Sequence, residues 1–548
     1  MKLNQTPVYF SVFIGSIIWL LLLWICITNQ ASWYSHGADY WEHSASINVW
    51  MKNFWSPTNH RFAIEMASVR NTPYFAIIVL LSRWLDFTAI QAMTMSGIIA
   101  SSVFVIAASL FANRYFRNPW AGPVALIVFL CGWGSAWYWT NVYQLRDLLF
   151  IISYPSFFVF SFSLLIFWFA LGTLRANTLS YFRLINLAVL VAFVFASHPP
   201  TGTFAIAGLL LLSAFDPGLD INKRFYVTVA VAFGFFLSFL WPFYSLWGLL
   251  SGSGAKLVES SEKIIAGAAS WGLLSGKAMD SVATSESLVA GVANSSVEFS
   301  RAQTLIETDP FYDFSQVMDA LGPGLFAIPI LIYLIWKKEH LFLWTGALSM
   351  LFVYILNLLI AVPLGYRFLI FCIFYLQMAL IYGVLQVFSR HEKRLRLRYI
   401  LRGMAIMFLL LIVSWNVNLL AKDLNRIEKK QQTIVARMEP LKAVIPPVAV
   451  VMVRNRIGWP LPTFTGKTIG AMRETHLYFE KNSRNKDVSI FFSDEVSLSK
   501  RLSIMRKYGA SYVIFSTAGE NSAVKQQLLS IPGEYFEVGG YTVIKVHL

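Results

Sequence analysis

Charge is scarce in this sequence. Only 13% of its 548 residues are Asp, Glu, Lys or Arg, against about a quarter in a typical soluble domain. With 57% hydrophobic residues and a mean hydropathy of +0.58, a soluble globule is excluded. Cysteine is nearly absent. Cys26, Cys131 and Cys372 each sit inside an apolar run, which excludes a disulfide framework. Several catalytic signatures are missing too. There is no His-Glu-x-x-His, no serine elbow and no cysteine cluster, so hydrolytic zinc and acyl-transfer chemistry have no motif to stand on. No glycine-rich nucleotide loop occurs either. Acids are the scarcer sign of charge, leaving a formal net charge of +15. Nucleic acid is not the implied partner, because Lys and Arg gather in short loops between apolar runs, as in membrane proteins.

What is present is a series of apolar runs near the length that crosses a bilayer as a helix, about twenty residues. The first, about 8–29, reads as a retained anchor, since no cleavage-site pattern follows it. A wet segment, 30–72, comes next. Pro73–Leu85 is too short to span comfortably and reads as an interfacial or half-inserted helix. Further spans are expected near 88–112, 119–138, 153–173, 184–197, 201–214, 225–248, 320–336, 341–361, 367–388 and 399–420, making eleven. Placing the N-terminus in the cytoplasm puts Arg114, Arg117, Arg175, Arg183, Lys223, Arg224, Lys337, Lys338 and the basic run 390–398 inside. The wet segment, a Ser/Ala/Gly-rich loop 249–319 and the tail then face out. The expected division is a transmembrane domain, 1–420, and an extracytoplasmic α/β domain, 421–548. In that tail Val448–Val453, Val488–Phe492, Tyr512–Phe515 and Tyr541–Val546 read as strands. Leu498–Lys507 and Ala523–Leu529 read as helices.

Polar residues break the pattern at one end. In the stretch GADYWEHSASINVW, helical spacing puts Asp39 and His43 on one face, with Glu42 one residue round from His43. A solvated polar face is the plainer alternative for Glu42 and His43. Next come His60, Arg61 and Arg70; an arginine fork suits paired phosphate oxygens, or simply lipid headgroups. Arg146 and Asp147 are adjacent in the second outer loop, His198 stands in SHPPTG, and Tyr366 and Arg367 begin a span. Ionisable groups near a membrane are costly and usually functional. Asp39, Arg70, Asp147, His198 and Arg367 all map to the same outer end, which describes a wet, mixed-charge cavity. Carboxylates could hold a divalent ion through oxygen; no adjacent acidic pair is present, and a metal is left open.

The stretches ADYWEHSASINVW, NTPYFAIIVLLSRWLDFTAIQAMTMSGIIASSVFVIAASLFANRYF and LRDLLFIISYPSFFVFSF resemble the GT-C superfamily of membrane glycosyltransferases. The aminoarabinose and protein O-mannosyl transferases are closest in plan. The likeness covers residues 1–175 best. Where the family commonly reads His/Lys-Pro-Pro-Leu-Tyr, this chain has Asn71-Thr72-Pro73-Tyr74-Phe75, and Asp39 stands without an adjacent acid. The resemblance implies an all-α polytopic fold of about eleven spans and interfacial helices, with a soluble α/β domain after it. It implies an enzyme of the cell envelope moving a sugar from a polyprenyl-phosphate-linked donor to a glycan, lipid or protein acceptor; the lack of cysteines outside the apolar runs points to a bacterial inner membrane. Asp39 takes the catalytic role, with Asp147 as the second-loop acid. Glu42, His43, His60, Arg61, Arg70, Arg146, His198, Tyr366 and Arg367 are the candidate substrate and phosphate contacts, and Mg or Mn is the metal the family would use. The competing readings are a flippase of lipid-linked glycans, disfavoured because no internal repeat or midplane charge is seen, and a non-catalytic glycan-binding assembly subunit.

Overall fold

A computed structural model describes residues 6–32, 38–64, 68–135, 143–216, 220–247, 314–360, 368–389, 395–428, 433–470, 481–517 and 523–547. Most of the long loop expected at 249–319 lies outside these residues, as do Tyr366 and Arg367.

Among the described residues, ten helices occupy the N-terminal half: α1 (Thr6–Ser32), α2 (Ala38–Lys52), α3 (Pro73–Trp84), α4 (Ala89–Phe116), α5 (Ala121–Cys131), α6 (Leu145–Ile151), α7 (Pro155–Leu174), α8 (Tyr181–Ser197), α9 (Pro199–Phe215) and α10 (Ile221–Leu237). Five more follow: α11 (Phe314–Leu321), α12 (Ala327–Lys337), α13 (Leu341–Ile360), α14 (Phe368–Ser389) and α15 (Leu395–Glu428). Each expected span overlaps a helix, although the run expected at 225–248 leaves α-helix after Leu237 and the run at 320–336 is broken by a 3-10 turn at Gly322–Phe326. Among the described residues, seven stretches are long and apolar enough to cross a membrane; α5, α8, α9 and the apolar part of α13 are shorter, as is α3. The run expected to continue to 138 ends as a helix at Cys131, where Gly132 stops it.

The helix starts are written in the sequence. Pro occupies the first turn of α3, α7 and α9, where a missing N–H costs nothing and the fixed φ is already helical. Thr72 caps α3, and Thr88 with Gln91 forms a reciprocal capping box on α4, satisfying amide groups that have no intrahelical partner. Aromatic and small residues fill the bundle core. Phe204 of α9, for example, stacks on Phe371 of α14 at 4.7 Å between ring centroids.

At the bundle end opposite α2, the basic clusters meet. Arg175 makes two 2.9 Å bonds to Asp216 and donates to the Arg114 carbonyl, while Arg114 lies over the Trp168 ring. Helix α15 has 34 residues, a length of about 50 Å, well beyond a bilayer core of about 30 Å. Its last turns carry Leu424, which packs against the hydrophobic core, and Asp423, which pairs with Arg146 of α6.

The tail builds helices α16 (Thr433–Met438), α17 (Asn455–Gly458), α18 (Leu461–Phe464), α19 (Lys481–Phe491), α20 (Leu498–Tyr508) and α21 (Ala523–Leu529). Its strands are β1 (Val450–Val453), β2 (Lys467–Thr468), β3 (Ala510–Ser516), β4 (Gly533–Val538) and β5 (Tyr541–Val546). They form one mixed sheet in the order β2-β1-β3-β5-β4. β1 runs parallel to β2 and β3, and β5 is antiparallel to β3 and β4. One expectation fails here: Val488–Phe492 is the end of α19, not a strand. Its Val-x-x-Phe-Phe spacing places Val488, Phe491 and Phe492 in the apolar core beside Met505 and Phe515, and a short apolar run does not by itself separate a buried helix end from a strand. Strands β2 and β4 are additional to those read from the sequence.

Candidate functional site

Three Pro-led helix starts and α2 meet at one place. The Tyr74 amide of α3 donates to Ser197 Oγ at the end of α8, at 3.1 Å, and the Tyr74 ring stacks on Phe158 of α7 at 3.9 Å. His198 closes the junction of α8 and α9, where its side chain accepts from the Thr201 amide and caps α9. The positive ends of the α3, α7 and α9 dipoles are thereby brought together, an arrangement that favours negative charge. Ser46 of α2 bonds Asn71 at 2.5 Å, and Trp241 Nε1 donates to the Asn71 carbonyl at 2.8 Å. These bonds hold the Asn71–Thr72 link between the first loop and α3.

On α2, Asp39 and His43 share a face and both reach Arg70. Arg70 Nη2 donates to Asp39 Oδ1 at 2.9 Å, and Arg70 Nη1 lies 3.5 Å from His43 Nε2. Asp39 and Arg70 keep 28% and 20% of their side-chain surface, so this pair is reachable. His43 is buried between the rings of Phe75 and Tyr154, 4.9 and 5.1 Å away. With Nε2 facing an arginine donor, the ring proton is assigned to Nδ1. That atom is buried and has no hydrogen-bond partner among the described residues. Burial, reinforced by the charge of Arg70, pushes the His43 pKa well down despite the pull of Asp39. His43 is therefore a neutral hydrogen-bonding group.

Glu42, His60 and Arg61 form a different cluster. Arg61 Nε donates to Glu42 Oε1 at 2.9 Å, a second bond comes from Arg61 Nη2, and His60 Nε2 contacts Glu42 Oε2 at 2.5 Å. Arg61 also donates to the carbonyls of Gly458 and Trp459 in the tail, at 3.3 and 3.1 Å. All three side chains are at most 2% exposed. Burial alone would raise the Glu42 pKa, but Arg61 and His60 hold it far below the usual carboxylate range. The structure thus replaces two expectations. Glu42 and His43 are not a solvated polar face, and the donors of Arg61 are spent on Glu42 and the tail rather than turned to a phosphate.

The tail adds further ties to the same loop. Lys467 Nζ donates to the Asn59 carbonyl, and Thr468 N donates to the Arg61 carbonyl at 2.8 Å. Asn48 Nδ2 donates to the Pro462 carbonyl at 3.1 Å.

Arg146 and Asp147 lie on α6. Arg146 makes a two-pronged bond to Asp423 near the end of α15 and donates to the Ser135 carbonyl at 3.2 Å, so its fork too is occupied. Asp147 is 1% exposed and adds to the charge that keeps Arg146 protonated. Tyr366 and Arg367 fall outside the described residues, among which no group of three or more His, Cys, Asp or Glu side chains is placed to hold a metal. Sequence reasoning missed Tyr154, Ser197 and Asp423. The Tyr-Pro start of α7 and the Ser-His-Pro-Pro junction were the available signals for the first two; nothing near Asp423 announced its partner.

The sequence matches no protein-family model and no curated protein. Among solved structures, the chain is similar to the apo oligosaccharyltransferase of Archaeoglobus fulgidus, at 13% identity over 93% of this chain and 70% of that one, with a TM-score of 0.53. It is similar to the same enzyme tethered through a disulfide to an acceptor peptide carrying the NVT sequon, at 12% identity over 98% and 74%, again with a TM-score of 0.53. Apo ArnT from Cupriavidus metallidurans matches at 10% identity over 98% of this chain and 97% of that one, with a TM-score of 0.51. Both enzymes are GT-C glycosyltransferases, and the likeness shows that this chain has a GT-C-like fold.

Proposed function

We propose that this protein is a membrane glycosyltransferase that moves a sugar from a polyprenyl-phosphate-linked donor to an acceptor hydroxyl or amine, with Asp39 as the general base. The observation that carries this reading is the Asp39–Arg70 pair, 2.9 Å apart and partly exposed to solvent, at the meeting point of three helix N-termini. The fold supports it, since the structural neighbours named above are glycosyltransferases.

The chemistry is a substitution at the anomeric carbon. The acceptor oxygen or nitrogen bonds to that carbon, the bond from the carbon to the phosphate oxygen breaks, and the acceptor proton passes to Asp39. A base must lie within hydrogen-bond reach of that proton. The leaving lipid phosphate carries the bonding pair and needs positive charge. Arg70 supplies it: as it turns from Asp39 to the phosphate, it frees the carboxylate to take the proton. Neutral His43 lies beside Arg70 and positions it, and the three helix N-termini add to the positive field.

The distribution of Lys and Arg favours an extracytoplasmic site and tail, and the tail is read as a domain from about residue 421. The bilayer then delivers the donor sideways. The test is transfer by the purified full-length protein against a panel of polyprenyl-phosphate sugars. Asp39→Asn is expected to lower turnover by about 10²–10⁴-fold and Arg70→Gln by roughly 10²–10³-fold. Turnover unchanged by Asp39→Asn defeats the assignment.

A further inference from the structure

A cavity of about 590 Å³ lies away from Asp39, between the back of α2 (Asn48, Lys52), the turn joining α3 to α4 (Arg83, Asp86) and the tail (Glu439, Lys442). Asn48 is nine residues beyond Asp39, about 180° around the helix and about 13 Å along it. The cavity therefore uses the opposite face of α2 from the candidate active site.

Its charges do not balance. Three cations face two carboxylates, and Glu439 already holds Lys442 at 2.6 Å. Lys52 and Arg83 make no ion pair or side-chain hydrogen bond among the described residues. Lys52 is exposed; partial desolvation by the walls and the neighbouring charge of Lys442 lower its pKa. Behind it, burial and Lys52 push Lys467 down to about 8. Like charges gathered in this way are relieved by an anion. With Asp86 on the wall, the lining is left with a single positive charge, which suits the one negative charge of a phosphodiester.

A second feature says what carries that phosphate. On α3, Ile77, Leu80 and Trp84 are 44%, 51% and 81% exposed. Their i, i+3, i+7 spacing makes one apolar stripe, and it ends next to Arg83 at the cavity. A basic rim beside an exposed apolar stripe is the arrangement of an interfacial helix. We propose that this cavity binds the anionic phosphodiester headgroup of a bilayer phospholipid, whose acyl chains lie along the Ile77–Leu80–Trp84 stripe. The lipid would join α2, the α3–α4 turn and the tail at a site separate from the sugar donor.

The experiment is lipid retention by the full-length protein in detergent, read by native mass spectrometry. The protein is exposed to equal amounts of phosphatidylglycerol and phosphatidylcholine in mixed micelles, with soluble glycerophosphoglycerol as competitor. Wild type is expected to retain phosphatidylglycerol in preference. The K52Q/R83Q/K442Q variant is expected to lose that retention by roughly fivefold per charge removed, and the soluble headgroup is expected not to compete at equal concentration. Equal retention by the variant, or equal retention of the zwitterionic lipid, overturns the proposal. Competition by the soluble headgroup as strong as by the lipid overturns the lipid assignment in favour of a free phosphodiester. Thermal midpoints without added lipid establish that the variant is folded; if it is not, K52Q/R83Q is measured in its place against the same outcomes. No outcome depends on sugar transfer.

Discussion

The residues of the first loop divide into an open pair and a closed triad, three positions apart on one helix. Asp39–Arg70 is reachable and exchangeable; Glu42–Arg61–His60 is sealed. Breaking a buried ion network leaves an uncompensated charge, at a cost of about 3–5 kcal/mol. Glu42→Gln and Arg61→Met are therefore expected to lower the unfolding midpoint markedly in thermal scans, whereas Asp39→Asn, at a half-open pair, is expected to shift it little. The histidines add a pH dependence. Burial lowers the pKa of both His43 and His60 in the folded protein, so the unfolded chain takes up protons first. Stability is then full above the ordinary histidine value of about 6.5 and falls as pH drops below it. His43→Gln and His60→Gln are expected to flatten the wild-type decline between pH 7 and 5. Glu42, held low, adds stability that persists until pH falls below about 4.3, the ordinary glutamate value, and is then lost. Asp39, His43 and their shared face were legible in the sequence because a helix repeats every 3.6 residues. The partners of Arg61 were not, because Gly458 and Trp459 lie nearly 400 residues away and offer only backbone carbonyls, which leave no mark in sequence.

At the scale of elements, helix contacts depend on small residues. A Cβ on Gly208 of α9 would lie 2.3 Å from the Phe167 ring of α7, and one on Gly346 of α13 would lie 2.2 Å from the Tyr375 ring of α14. Gly403 of α15 faces open space. Alanine raises helix propensity by about 1 kcal/mol over glycine, but overpacking costs about 1–3 kcal/mol. Gly208→Ala and Gly346→Ala are expected to destabilise in thermal scans, while Gly403→Ala is neutral or stabilising. The Pro-led starts of α3, α7 and α9 were readable as helix boundaries. Their convergence was not, since it depends on contacts such as Tyr74 with Ser197 and His43 with Tyr154 across separate helices. Likewise, Asp423 is identified as the partner of Arg146 only when α15 is seen to pack beside α6.

For the whole molecule, apolar run lengths marked each expected membrane helix, and the change in composition marked the tail. The docking of that tail on α2 and the first loop was hidden, because it rests on one buried triad, Lys467 and a few backbone bonds. The expected consequence is that loop and tail unfold together: Glu42→Gln should expose the tail to protease under conditions where wild type resists, with the helical bundle kept. The central claim is that Asp39 is the base of a sugar transfer aided by Arg70. Its most direct measurement is single-turnover transfer from polyprenyl-phosphate sugars by the purified full-length protein, wild type against Asp39→Asn, with donor binding measured in parallel. The account predicts donor binding in both proteins and a loss of about 10²–10⁴-fold in the transfer rate of the variant. Equal transfer rates, or lipid movement across the bilayer with no transfer from any donor, would contradict it.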